Sequence, residues 1–376
     1  MKKLLFFVTM ASVTLASCVK NEVESPQTQG VKIGFASPVL YSNVDTKAVV
    51  YGEIGSHKYE GTETVYSYPR EEKFRIFAVE HSGNLTQWDA AEETVFNDTA
   101  IEWIKSLDAW APRQTDGGYY YWPDNMKLSF AAMSPAILDV DGAVTDYSST
   151  GLKVTNFTVA DKPEKQYDLL YSERSANKTA ADMVDNGAAY YGGIPIYFKH
   201  ALASIHFSLK TDATETVTLK SIVLKNAFNK GTFEENITDE TTNPITRAPK
   251  WTVASDSAKK DYTSFSGVVE FPLNSQYVSA LSANIPGNTS HPLLLMPQTI
   301  GNDVVVDVTY KVGGQIKTRT VQLNQYPVSQ PVIKWEVGTK YTYRLVYSKE
   351  AQKDDIIYFA PETKEWANGG IIEVTL

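Results

Sequence analysis

Short apolar runs, each closed by Gly, Pro, Asn or Asp, constrain this chain more than any other feature. Phe74-Arg75-Ile76-Phe77-Ala78-Val79 is nearly continuous, and Leu128, Phe130 and Ala132 alternate within residues 127–132. Ile194, Ile196 and Phe198 alternate too. Residues 203–210 put Ala, Ile, Phe and Leu on one face and Ser, His, Ser and Lys on the other. A period of two sends successive side chains to opposite faces of a strand, and the last pattern predicts a strand with one wet face. Further strands are expected at 216–224, 267–271, 293–296, 303–310, 318–323 and 340–346. Helical spacing shows at residues 99–107, where Ile101, Ile104 and Leu107 recur at three-residue steps behind Asp98 as a cap. Short strands with regular turns and few helices predict an all-β sandwich or barrel.

Nothing covalent reinforces such a fold here. The 376 residues contain one cysteine, Cys18, so no disulfide forms within the chain. Stability must come from burial and ladder hydrogen bonds, and a hydrophobic content of 43% supports real cores. The length suits two domains of roughly 100–200 residues each. The small, polar stretch 175–193 is the expected connection, giving domains at 48–190 and 191–376. With 35 Lys and Arg against 44 Asp and Glu, the chain lacks the clustered positive charge that nucleic acid requires.

The start of the chain carries an export pattern. Lys2 and Lys3 precede an apolar run from Leu4 to Ala16, shorter than the roughly 20 residues of a membrane-spanning helix. Residues 1–17 read as a signal peptide. Leu15-Ala16-Ser17-Cys18 resembles the bacterial lipobox. That resemblance implies cleavage before Cys18, a lipid on its thiol and anchorage in a membrane, the outer one because Val19 is not the Asp of an inner-membrane retention signal. Residues 19–30 are a polar tether. Val31, Ile33 and Phe35 then alternate as in a strand, and Pro38 stops them. The loop 42–48 places Lys47 before Ala48. It suits proteolytic nicking, though on residue chemistry alone a plain connecting loop fits it better.

Catalytic patterns are missing. There is no HExxH, GxSxG, P-loop or GxGxxG, and neither a catalytic residue nor a cofactor is expected. Of five histidines, His200 and His206 share strand parity and are expected to face solvent; two distant histidines do not make a zinc site. Asp139-Val140-Asp141-Gly142 has half the ligands of a calcium loop and reads as a hairpin turn. No metal centre is expected. Tyr119-Tyr120-Tyr121-Trp122 fits a stacking platform for a glycan, and fits strand core as well.

Several stretches in fixed order resemble the fimbrillin (type V pilin) family of Bacteroidales lipoproteins. They are the lipobox at Cys18, Thr46-Lys47-Ala48, Phe74–Val79, Tyr120–Pro123 followed by Leu128–Ala132, Asp168–Ser172, Phe198–Ala203, Leu293–Gln298, Gly338–Tyr343 and Trp366. The resemblance covers nearly all of the chain. It implies two tandem transthyretin-like β-sandwich domains after a lipoprotein signal peptide and a flexible tether. It further implies a lipidated precursor whose segment 18–47 is removed by a trypsin-like or gingipain-like protease. Family members are mostly cut after Arg, whereas this chain offers Lys47.

Losing an alternating strand opens an apolar groove between unpaired edges, which accepts a strand from another chain. Val31, Ile33 and Phe35 would vacate three pockets, and Ile372, Val374 and Leu376, with the same period, would fill them in a neighbour. Three buried side chains contribute roughly 5–9 kcal/mol before entropy costs. On residue chemistry alone both segments also fit ordinary strands of one finished sandwich. The function this implies is a structural subunit of a surface fimbrium serving adhesion. Its partners would be other subunits, a maturation protease and the outer membrane; no residue pattern identifies a host or bacterial receptor. A second reading is a lipid-anchored carbohydrate-binding protein using Trp122.

Overall fold

The computed structural model describes residues 31–365 apart from 37, 41–55, 59–63, 68–71, 107–108, 113, 115–117, 137–142, 183–192, 212–215, 243–244, 271–277, 280–288, 291, 326–331 and 349–355. Cys18, Lys47, Ala48, residues 139–142 and the tail residues Ile372, Val374 and Leu376 lie outside the described residues.

The chain is all-β and of sandwich type. The largest sheet runs in the order Ser56–Lys58, Thr64–Ser67, Val39–Leu40, Tyr197–His200, Leu170–Ser172, Lys127–Ser134, Phe74–His81, Glu93–Ile104, Ala109–Ala111, and Ser175–Lys178 adds to Lys127–Ser134. Its central strands are buried on both faces, which is why they read as nearly continuous apolar runs. Phe74, Ile76 and Ala78 point into one core with Phe130 and Ala132. Phe77 and Val79 point into another, with Ala131 and Met133. The sheet is thus a wall between two cores. The second core continues through Ile205, Phe207, Leu219, Ile222 and Tyr343, so it spans both halves of the sequence.

The later residues form two five-stranded sheets. In one, Thr218–Phe228 pairs with Lys259–Glu270 and with Val305–Val312, which pairs with Gln315–Gln322. In the other, Ala203–Thr211 lies parallel to Thr339–Ser348, itself paired with Ile356–Glu365. A four-stranded sheet joins Val144–Ser148 and Gly151–Thr158 to Lys230–Glu234 and Lys250–Val253, on either side of residue 190. A buried ionic group reinforces that junction. Arg174 pairs with Glu240 at 3.0 Å and lies over the rings of Trp88 and Tyr147. Glu235 pairs with Arg247 at 2.6 Å and accepts from the Leu152 amide at 2.9 Å. Burial pushes the Glu235 carboxyl up, and the Arg247 guanidinium pulls against that shift.

Two local expectations are corrected. Residues 99–104 are not helical: they belong to the strand Glu93–Ile104, paired with Phe74–His81. The register shifts between Ile76 and Ala78, opposite Asp98, which has a left-handed φ of 57°. The irregularity carries both Phe96 and Ile101, an odd number of residues apart, into buried positions, a spacing a regular strand does not give. The strand Ala203–Thr211 has no wet face over Ser204 and Ser208, both of which are buried. It is an interior strand of its sheet, and Ser204 satisfies its hydroxyl on the His206 ring at 2.7 Å.

Candidate functional site

Residues 31–36 lie in a slot between two parts of the large sheet. On one side Phe35 bridges Trp110 and Lys32 bridges Tyr121, both antiparallel. On the other side Phe35 bridges Ile194 in parallel, and Ile194 leads into the strand Tyr197–His200. Alternate residues send their backbone groups to alternate neighbours, as in an interior strand. The Ile33 and Phe35 amides donate to the Tyr120 and Trp110 carbonyls, and the Trp122 amide donates to the Val31 carbonyl, each at 2.8 Å. Across the other edge the Ala36 amide donates to the Ile194 carbonyl at 3.0 Å, and the Ile194 amide to the Gly34 carbonyl at 2.9 Å. Between the two parts of this partner line the Gln114 amide donates to the Gly118 carbonyl at 3.1 Å.

The slot is aromatic. Phe35 has no exposed surface and meets Phe130 and Phe74 edge-on, with centroids at 5.4 and 6.1 Å. Trp110 lies against Phe74, and Ile33 is 2% exposed. Val31 is 50% exposed, so two pockets rather than three are filled. Lys32 places its ammonium 4.3 Å from the Tyr119 ring centroid. Two buried side chains contribute roughly 3–6 kcal/mol, and each ladder bond about 1 kcal/mol net. Gly193 touches the segment directly: a Cβ there would come within 2.7 Å of the carbonyl carbon and Cα of Phe35 and of the Ala36 amide nitrogen.

Other residues singled out in the sequence fall elsewhere. Trp122 is 7% exposed and packs edge-on against Phe130, so it is a core residue; of its neighbours Tyr121 is 43% exposed. His200 does not face solvent. It is buried, with its Nδ1 2.6 Å from Asp168. His206 bonds Ser204; burial, and after it the Lys340 ammonium, holds it well below 6.5. Among the described residues no group of three or more His, Cys, Asp or Glu side chains is placed to hold a metal ion. Sequence reasoning missed Gly193, read only as part of a small, polar connection. The available signal was a glycine directly before an alternating strand, a position where another backbone often approaches closely.

The chain is an all-β sandwich in which the early segment 31–36 pairs on both sides. A fimbrillin-like family model matches residues 68–366, and the chain belongs to the fimbrillin-like family. No curated protein matches it. Among solved structures, a fimbrial protein from Bacteroides vulgatus ATCC 8482 aligns at a TM-score of 0.53 and 16% identity, over 89% of this chain and 99% of its own. A candidate cell adhesion protein from Bacteroides uniformis ATCC 8492 aligns at 0.50 and 13%, over 91% and 99%. At those identities the likeness is one of fold. Family membership makes the chain a non-enzymatic, surface-exposed fimbrial protein.

Proposed function

We propose that this chain is a fimbrial subunit that polymerises when residues 31–36 leave their slot and the tail of a neighbouring copy enters it. The observation that carries the reading is the double pairing of 31–36, to Tyr120 and Trp110 on one side and to Ile194 on the other. Removing such a segment leaves two unpaired edges over an aromatic groove, and both demand a replacement strand. The precursor is lipidated on Cys18 in the outer membrane, and a trypsin-like protease cuts between Lys47 and Ala48. That cut also releases Val39–Leu40, which pairs in parallel with Tyr197–His200. Ile372, Val374 and Leu376 supply the apolar face of the donor, and the head-to-tail contact does not close on itself, so it propagates as a filament serving adhesion.

A Lys/Arg-specific digest of the full chain, followed by N-terminal sequencing and electron microscopy, tests this. One cut before Ala48, loss of the fragment and growth of filaments are expected. A cut chain that stays monomeric would remove the support for strand exchange.

A further inference from the structure

We propose that Gly193 is the positioning residue of the slot, the point where an occupying strand is held by its backbone rather than by its side chains. The inference rests on the reading of the slot as an assembly site. The three atoms nearest to a Cβ at 193 are all backbone atoms of Phe35 and Ala36, within 2.7 Å. Side-chain Cβ atoms essentially never approach other atoms more closely than 3.0 Å, and a backbone neighbour cannot rotate away. Gly193 does not occupy the left-handed region, so alanine there carries no conformational strain of its own. Its whole cost falls on the contact with the strand in the slot.

The restraint therefore ignores the occupant's sequence. A leader strand and a replacement strand in the same register meet the same surface. Sequence is read elsewhere, at the Ile33 and Phe35 pockets and at the amides of residues 33, 35 and 36, which donate to the slot walls. The slot thus fits an extended segment of a second copy with an aliphatic or aromatic pair two residues apart. That segment carries no proline at the three donor positions. The tail 371–376, Ile-Ile-Glu-Val-Thr-Leu, meets these terms.

The test is amide hydrogen exchange on the uncut full-length chain carrying Gly193→Ala, with Gly83→Ala as control because nothing lies within 4 Å of a Cβ at 83. In the Gly193 variant the amides of Ile33, Phe35 and Ala36 should exchange about tenfold faster, with those of Asn229 and Trp335, bonded elsewhere in the fold, unchanged. Ala36→Pro, which removes a donor from the strand side, should loosen the remaining amides, those of Ile33 and Phe35, with Gly193 intact. Wild-type exchange at residues 33–36 in Gly193→Ala would overturn the proposal, as would wild-type filament yield from the cut variant. The uncut chain judges the Gly193 contact without any assembly. A wild-type protein that never polymerises would therefore sink strand exchange and leave the contact standing.

Discussion

Phe35 carries more of the slot than any other side chain, because its ring lies against Phe74 and Phe130 with no exposed surface. Truncating a buried phenylalanine to alanine costs about 3–5 kcal/mol, the lost transfer energy plus the cavity. Phe35→Ala should lower stability by that order in urea unfolding, whereas Val31→Ala, half exposed, should change it little. Equal losses for the two would contradict the two-pocket description. His206 offers a pH test. Its folded value lies below the unfolded 6.5, so the unfolded chain binds the proton first. The stability it contributes is present above 6.5 and is lost as pH falls from 6.5 through the depressed folded value. His206→Gln should therefore flatten the loss of urea midpoint on acidification below 6.5, while parallel curves for wild type and variant would contradict the assignment.

The strands that bind the two halves of the sequence together depend on buried charge at the Arg174 junction. Its side chain and that of Glu240 are 4% and 8% exposed, so removing one partner strands the other without water. Arg174→Ala should cost about 3–5 kcal/mol in unfolding free energy. The exposed Lys334–Glu336 pair is the contrast, and Lys334→Ala should cost about 0–1 kcal/mol. At this scale much was legible beforehand: a nearly continuous apolar run located Phe74–His81, alternation located Lys127–Ser134, and the strand expected at 340–346 lies within Thr339–Ser348. The helix expected at 99–107 failed because these residues pair with Phe74–His81 and Ala109–Ala111, and a window of 99–107 contains neither partner strand. The wet face expected for residues 203–210 failed for a related reason. Ser204 is buried and satisfies its hydroxyl on the half-buried His206 ring, so its polarity marked a hydrogen bond and not solvent. Val31, Ile33 and Phe35 were legible as a strand; that they join two edges of one sheet was not, because Trp110, Tyr120 and Ile194 lie far along the chain.

Among the described residues the molecule has two cores on either side of one large sheet, and the early segment completes the smaller core. The larger core spans both halves of the sequence and contains none of residues 31–36. Loss of the segment should therefore open one end and leave the body folded, as a subunit that waits for a neighbour requires. The most direct measurement places a photo-reactive phenylalanine analogue at Val374, cuts the chain after Lys47, lets it assemble and maps the cross-links by mass spectrometry. The account predicts cross-links from residue 374 of one copy to the slot walls of another, within 110–130 or 193–198. Cross-links confined to one copy, or reaching a second copy away from those walls, would contradict it.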